Sequence, residues 1–424
     1  MTEPQIRALF KEIADEPAAS RVDPQFTQRR GRARLRWRRA GLAGASAVAA
    51  AAVITTSLAI SGAIQDGPTG PGGDVAAASL VAKVPPYFVA PREPPGALHG
   101  DAPSPAVVGA TASGAVLGTV APPKGYPVFT MVTGAADGRT FIFAAARGSR
   151  QGPVTFHRLA LSRSGHPGRL RPLPLPPETS SLSGLAVSPD GSKLAMSVFN
   201  PRNPQVGAKI QIFSLVTGAV REWAWPGAGW IGWSTPLGPD AFAGRSLSWA
   251  ADNRRLLLQE QTRTHSGVTA QARLLDTAAT GGNLLASSTL VPIPSAELSP
   301  LDKKKQPPFR ITGPLLLTGD GAKIVAPTSR TITHGPAMLG ASITEFSVRT
   351  GMPVKVLSRQ QLTYDNGTSV LWVNHSGTLM IAGHPLPNPK SYRRDSVIGV
   401  QTPTRFIPLP PGVQRLLGGW EPDW

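Results

Sequence analysis

Residues 80–415 are built from short apolar runs that alternate with turn residues. One sequence motif recurs: an apolar strand, a turn centred on Asp-Gly or its equivalent, and a second apolar strand. Residues 185–198, LAVSPDGSKLAMSV, are a clear example. The turn positions are Asp137, Asp190, Asp252, Asp320 and Ser376. Asp-Gly and Asp-Asn pairs tolerate positive φ and here lie between two strands of alternating apolar and polar residues. Each copy of the motif therefore predicts a β-hairpin.

A second hairpin, with a weaker sequence signal, follows the recurring motif. Its predicted turns are Ser164-Gly165, Thr217-Gly218, Gly281-Gly282 and Thr350-Gly351, and Ser113-Gly114 lies ahead of the first complete unit. Two hairpins make four strands, which is one blade of a β-propeller. We therefore predict an all-β fold, a propeller of four-stranded antiparallel blades. Six blades are expected, with seven as the alternative, and residues 412–420 are predicted to supply the strand that the first blade lacks.

The octapeptide SPDGSKLA, at residues 188–195, resembles the WD40-like and TolB-like propeller repeat when the following strand and Thr-Gly turn are included. The units lack the Gly-His start and the Trp-Asp end of true WD40 repeats. The layout of the whole chain resembles a group of actinobacterial single-pass membrane proteins with a basic cytoplasmic leader and an extracytoplasmic propeller. This resemblance implies an architecture rather than an activity.

Residues 41–64 contain no charged side chain, and a helix of this length covers the ~30 Å hydrocarbon core of a bilayer. A cluster of arginines precedes the stretch: Arg29, Arg30, Arg32, Arg34, Arg36, Arg38 and Arg39. The next basic residue after it is Lys83. By the positive-inside rule this asymmetry predicts a single-pass anchor with a cytoplasmic amino terminus and an extracytoplasmic propeller. A cleaved export signal and a buried helix of a soluble domain are the alternatives.

The chain thus divides into a cytoplasmic leader (1–40), a transmembrane helix (41–64), a Gly/Pro-rich linker (65–79) and a propeller (80–424). In the leader, Ile6, Leu9, Phe10 and Ile13 have helical spacing and predict a short amphipathic helix. This helix either docks a cytoplasmic protein, as in signalling with an extracytoplasmic-function sigma factor, or forms a weakly ordered tail or lies on the inner leaflet. The H-x-x-x-C-x-x-C zinc motif of anti-sigma proteins is absent.

Composition limits the partners. The chain has 424 residues, no cysteine and a net charge of +18. Without cysteine there are no disulfides, Cys-ligated metals or thiol nucleophiles. No nucleic-acid partner is predicted, because the basic residues are scattered and no base-reading motif is present. The charge instead favours contact with the lipid bilayer or anionic wall polymers, unless arginine serves only as a solubilising residue.

No sequence motif for catalysis is present, and the recurring aspartates occupy turns, where a carboxylate binds nearby backbone N–H groups. We therefore predict no catalytic residue, metal or cofactor. The predicted function is a binding, scaffold or sensory module whose partner is a wall polymer or an extracytoplasmic protein. The alternative is an exported hydrolase or lyase that acts on cell-wall glycan through the central channel.

Four tryptophans in a Gly/Pro-rich region are the most unusual feature of the propeller sequence. They are Trp223, Trp225, Trp230 and Trp233. Clustered indoles in such a region predict a platform on which sugar rings stack, as in wall glycan. The alternative interpretation is that these side chains fill the seams between neighbouring blades.

Overall fold

A computed structural model describes residues 80–91, 105–147, 153–175, 178, 181–199, 208–225, 230–231, 247–264, 267–293, 310–311, 313–332, 338–362, 369–385, 396–417 and 423–424. All of them belong to the second of two compact units, Gly70–Trp424. The leader with its amphipathic helix and arginine cluster, and the uncharged stretch at 41–64, lie outside the described residues and stay predictions. Among the described helices, none combines the length and the hydropathy that a membrane crossing requires.

The strands form six antiparallel blades in a propeller ring, which confirms the predicted fold class and blade number. The first blade contains β1 (Tyr87–Pro91), β2 (Ala106–Ala110) and β3 (Val116–Val120). The second contains β4 (Val128–Gly134), β5 (Thr140–Ala146), β6 (Val154–Ala160) and β7 (Arg171–Pro172). The third contains β8 (Ser181–Val187), β9 (Lys193–Phe199), β10 (Ala208–Ser214) and β11 (Val220–Ala224).

The fourth and fifth blades each begin with two short strands that pair with one long strand. The fourth contains β12 (Trp230–Ile231), β13 (Leu247–Trp249), β14 (Arg255–Thr264) and β15 (Gly267–Asp276). The chain then forms β16 (Gly282–Asn283), which pairs in parallel with β11 of the third blade, a short helix α1 (Leu284–Ser287), and the outer strand β17 (Ser288–Val291). The fifth contains β18 (Arg310–Ile311), β19 (Leu316–Leu317), β20 (Lys323–Ile332), β21 (Met338–Ser347) and β22 (Pro353–Leu362).

The sixth blade contains β23 (Ser369–Val373), β24 (Met380–Pro385), β25 (Ser396–Gln401) and β26 (Phe406–Pro408), and helix α2 (Pro411–Leu417) follows it. Successive side chains of a strand point to opposite faces of its sheet. In β14, Leu256 and Leu258 accordingly pack in the seam with the third blade, whereas Leu257 packs in the seam with the fifth. The hydrophobic core of the described propeller therefore lies in the seams between blades.

The five recurring turns connect the inner strands of the second to sixth blades, as predicted. Each has one residue with positive φ, and these are Gly138, Gly191, Asn253, Gly321 and Gly377. The turn aspartates accept hydrogen bonds from backbone N–H groups two residues later, for example Asp137 from Arg139 at 2.8 Å. Asp190, Asp252 and Asp320 form the same contact. These contacts confirm the interpretation of the recurring aspartates as turn residues.

The ring closes where the beginning and the end of the propeller meet. Val89 of β1 and Asp423 exchange two backbone hydrogen bonds of 2.9 Å each. The expectation that the last part of the propeller completes the first blade is therefore confirmed. The strand predicted at residues 412–420 was wrong over 412–417, which are helical, and 418–420 lie outside the described residues. Pro411–Leu417 is helical, because proline suits the first turn of a helix, where its missing N–H needs no partner.

Candidate functional site

Within the part of the chain that the structure describes, the inner strands of the blades contain few titratable groups. The innermost strands are β4, β8, β12, β13, β18, β19 and β23, and Asp423 takes this position in the first blade. They contain two charged residues, Arg310 and Asp423, and no histidine or glutamate. Over the part of the chain that the structure describes, no group of three acidic or histidine side chains is placed to hold a metal ion. The described inner strands therefore contain one carboxylate, that of Asp423.

Polar side chains of the inner strands connect neighbouring blades. Thr133 Oγ1 accepts a 3.2 Å hydrogen bond from Val187 N, and Ser248 Oγ accepts a 2.9 Å bond from Leu317 N. Between the third and fourth blades, Trp249 Nε1 donates to the carbonyl of Ala186 at 3.1 Å. These inner-strand groups hold the ring together.

The turn carboxylates are stabilised in their ionised form by their own turns. Burial raises the pKa of Asp190, but hydrogen bonds from Ser188 and Ser192 and the charge of Lys193 outweigh it and bring this pKa below its ordinary value. In the fourth blade, the hydrogen bond from Arg254 lowers the pKa of Asp276 from 3.8 to about 2. A carboxylate that keeps its charge near neutral pH is a poor proton donor.

Two of the four predicted platform residues lie in the seam between the third and fourth blades. Trp223 is 0% exposed and Trp225 is 7% exposed, and both pack with leucines of the fourth blade that include Leu256 and Leu284. Their burial favours the seam interpretation for this pair. Trp230 begins β12, where its backbone pairs with Gln261, but its side chain and all of Trp233 lie outside the described part, so the platform at Trp230 and Trp233 stays a prediction.

This seam also contains hydrogen-bond donors that have no acceptor among the described residues. The indole Nε1 atoms of Trp223 and Trp225 are buried and have no hydrogen-bond partner among the described residues. The guanidinium carbon of Arg273, from the fourth blade, lies 5.6 Å from the ring centre of Trp225, within the range of a cation–π contact. The seam thus combines indole donors with a cation, and both attract hydrogen-bond acceptors.

Gln259 was not identified from the sequence. It is 1% exposed on β14, and neither its Oε1 nor its Nε2 has a partner among the described residues. Counted from the recurring turn, the equivalent positions in the other four blades are Ala144, Ser197, Pro327 and Gly383. A comparison of the repeats at this position would have revealed it, because a long amide stands where its counterparts are small.

The chain matches no protein-family profile, and no curated protein sequence matches it. Solved structures with a similar fold include hydrazine synthase from Kuenenia stuttgartiensis, at 13% identity over 64% of this chain and 62% of that chain, with a TM-score of 0.36. The β-propeller domain of the Trilobed protease from Pyrococcus furiosus is 13% identical over 66% of this chain and 68% of that chain, with a TM-score of 0.33.

An oligogalacturonate lyase in complex with manganese is also similar, at 13% identity over 65% of this chain and 74% of that chain, with a TM-score of 0.37. The chain spans less than two thirds of the hydrazine synthase chain. At these identities the likeness concerns the propeller fold alone.

Proposed function

We propose that the chain is a membrane-anchored binding module. In this proposal, residues 41–64 hold the propeller outside the cell, where it binds a wall polymer or an extracytoplasmic protein without transforming it. The observation that carries the proposal is the composition of the described inner strands, which contain a single carboxylate and no histidine or glutamate. Hydrolysis and elimination commonly rely on a positioned acid and base, most often histidine, glutamate or aspartate.

The use of the remaining polar groups supports this proposal. Thr133, Ser248 and Trp249 are engaged in contacts between blades, and the turn aspartates are engaged by their own backbone. A ring that is held by such contacts is a rigid scaffold, the kind of support on which proteins commonly carry their binding residues. Within the proposal, Trp230 and Trp233 are the residues on which sugar rings stack.

The test mixes the detergent-solubilised full chain with purified peptidoglycan sacculi, which are then sedimented. We expect the chain to pellet with the sacculi and to release no soluble sugar or unsaturated product. The Trp230→Ala, Trp233→Ala double variant should pellet less while its midpoint of thermal unfolding stays unchanged. Release of soluble fragments by the unaltered chain would establish the hydrolase or lyase alternative. Failure of the chain to pellet would reject the wall polymer as its ligand.

A further inference from the structure

Two arginines face each other across the outer strands of the second blade. Arg158 of β6 pairs directly with Arg171 of β7, and both side chains are exposed. Residues directly opposite in an antiparallel pair have Cβ atoms ~4.5–5.5 Å apart. Arg169, two residues before Arg171, is exposed as well. These three residues are called the arginine triad below.

The opposed pair, Arg158 and Arg171, lies on one side of the blade. Phe156, two residues before Arg158, packs in the seam with the third blade, whereas Leu159 and Leu170 pack in the seam with the first. Because side chains alternate along a strand, Arg158 and Arg171 both belong to the side of Phe156. Arg169 is exposed and directly precedes β7, so all three charges lie at one outer edge of the blade.

No carboxylate neutralises the triad among the described residues. The ion pairs given by this part of the structure are Lys209–Glu222, Arg254–Asp276, Arg255–Asp252 and Lys323–Glu345. Like charges directly opposite each other in a sheet are destabilising. The second blade thus keeps an arrangement that weakens its own strand pairing, whereas Arg254 and Arg255 of the fourth blade are each paired with an aspartate.

We propose that the arginine triad binds an extended anionic polymer with repeating phosphate groups. The proposal rests on the proposed function, for which it names a site and a class of ligand. A guanidinium group contacts phosphate through two parallel hydrogen bonds. The opposed pair, Arg158 and Arg171, binds adjacent phosphate groups, and Arg169 extends the line of charge. Several linked phosphates bind more tightly than one, because the second and third contacts are intramolecular.

The test measures binding of long-chain polyphosphate, orthophosphate and phosphatidylglycerol vesicles to the full chain held in nanodiscs of zwitterionic phosphatidylcholine. We expect polyphosphate to bind more tightly than orthophosphate. The Arg158→Gln, Arg169→Gln, Arg171→Gln variant should bind polyphosphate at least ~10-fold more weakly at ~0.15 M salt, with a shallower dependence on salt concentration. The matched control is Arg349→Gln, Lys355→Gln, Arg405→Gln, which removes the same charge from exposed positions of the fifth and sixth blades.

The control should keep most of the affinity, and the triad variant should unfold at the same or a higher temperature, because a repulsion has been removed. Equal losses in the two variants would overturn the proposal by assigning binding to net charge. Tighter binding to the vesicles than to polyphosphate would overturn it in favour of a membrane surface.

If the triad variant binds polyphosphate normally while the unaltered chain still pellets with sacculi, the triad is refuted and the proposed function stands. If the unaltered chain does not pellet with sacculi but only the triad variant loses polyphosphate binding, the triad stands and the wall polymer is rejected as the ligand in the proposed function.

Discussion

The seam that closes the ring and the seam between the third and fourth blades both bury a tryptophan, but they join different kinds of segment. At the closing seam, Trp424 Nε1 donates to Thr111 Oγ1 at 3.2 Å across 313 positions of sequence, and its ring centre lies 5.9 Å from that of Phe88. At the other seam, Trp223 packs between blades that follow one another along the chain.

The two seams differ in what remains when the tryptophan is removed. The third and fourth blades stay linked by the chain and by turn contacts, in which Asn253 Oδ1 accepts from Asp190 N at 3.1 Å and Lys193 Nζ donates to Asn253 O at 2.7 Å. The closing seam joins segments that are distant in sequence, so its contacts must offset a large loop-closure entropy. Equal burial of the same residue type therefore has unequal consequences for the ring.

The largest effect is expected at Trp424. We expect Trp424→Ala to lower the free energy of unfolding by about 4–5 kcal/mol, because it removes a large buried side chain and leaves Thr111 without its indole donor. Denaturant unfolding of the full chain measures this change. Trp424→Phe keeps most of the apolar surface and should lose clearly less. Equal stability of the alanine variant and the unaltered chain would mean that Trp424 does not hold the ring closed.

At Trp223 we expect a smaller loss, about 3 kcal/mol for Trp223→Ala, because the covalently linked blades can partly collapse around the cavity. Trp223→Phe is the sharper variant. Since Trp223 Nε1 has no partner among the described residues, replacing the indole by a phenyl ring removes no hydrogen bond within that part. Its cost is the smaller cavity alone and should be about half that of Trp223→Ala. A larger loss for Trp223→Ala than for Trp424→Ala would show that the closing seam is not the more sensitive of the two.

The blades could be predicted from the sequence because their information is local. Asp-Gly and Asp-Asn turns between alternating strands define each inner hairpin, and Asn253 has the positive φ that glycine has in the other four turns. The closing strand was misplaced because residues 412–420 are apolar enough to be read as a strand, whereas Pro411 at the start of α2 favours a helix. Ring closure depends on a long-range pair, Val89 with Asp423, that no local pattern reveals.

The candidate sites were less predictable, because they depend on register and on contacts between blades. Arg158 faces Arg171, but Leu161 bridges Pro167, so the register shifts by one residue within the same hairpin. Sequence spacing alone does not reveal such a shift. In the tryptophan-rich region, composition identified the cluster, but burial of Trp223 and Trp225 follows from the fourth blade packing over them.

Asn253 allows the seam between the third and fourth blades to be weakened without touching its core. Asn253→Ala removes the side-chain acceptor of Asp190 N and keeps the positive φ, so we expect a loss of about 1–2 kcal/mol. Asn253→Gly removes the same acceptor but relieves the backbone, and should lose about half as much. Thermal unfolding of both variants measures the difference. Because both variants lose the same acceptor, a glycine variant less stable than the alanine variant would refute the backbone argument for Asn253.

The smallest effect is the acid sensitivity of the fourth blade. Because the hydrogen bond from Arg254 lowers the pKa of Asp276 to about 2, ionised Asp276 stabilises the fold fully above its ordinary pKa of 3.8. This contribution is lost as the pH falls from about 4 to about 2, so the unfolding free energy should decline across that window. Asp276→Asn should make the decline shallower and change stability little at pH 7, since the pair is exposed. Urea unfolding at a series of pH values measures both slopes. Parallel slopes would assign the acid sensitivity to the recurring turn aspartates, whose pKa values are also lowered: Asp137, Asp190, Asp252 and Asp320.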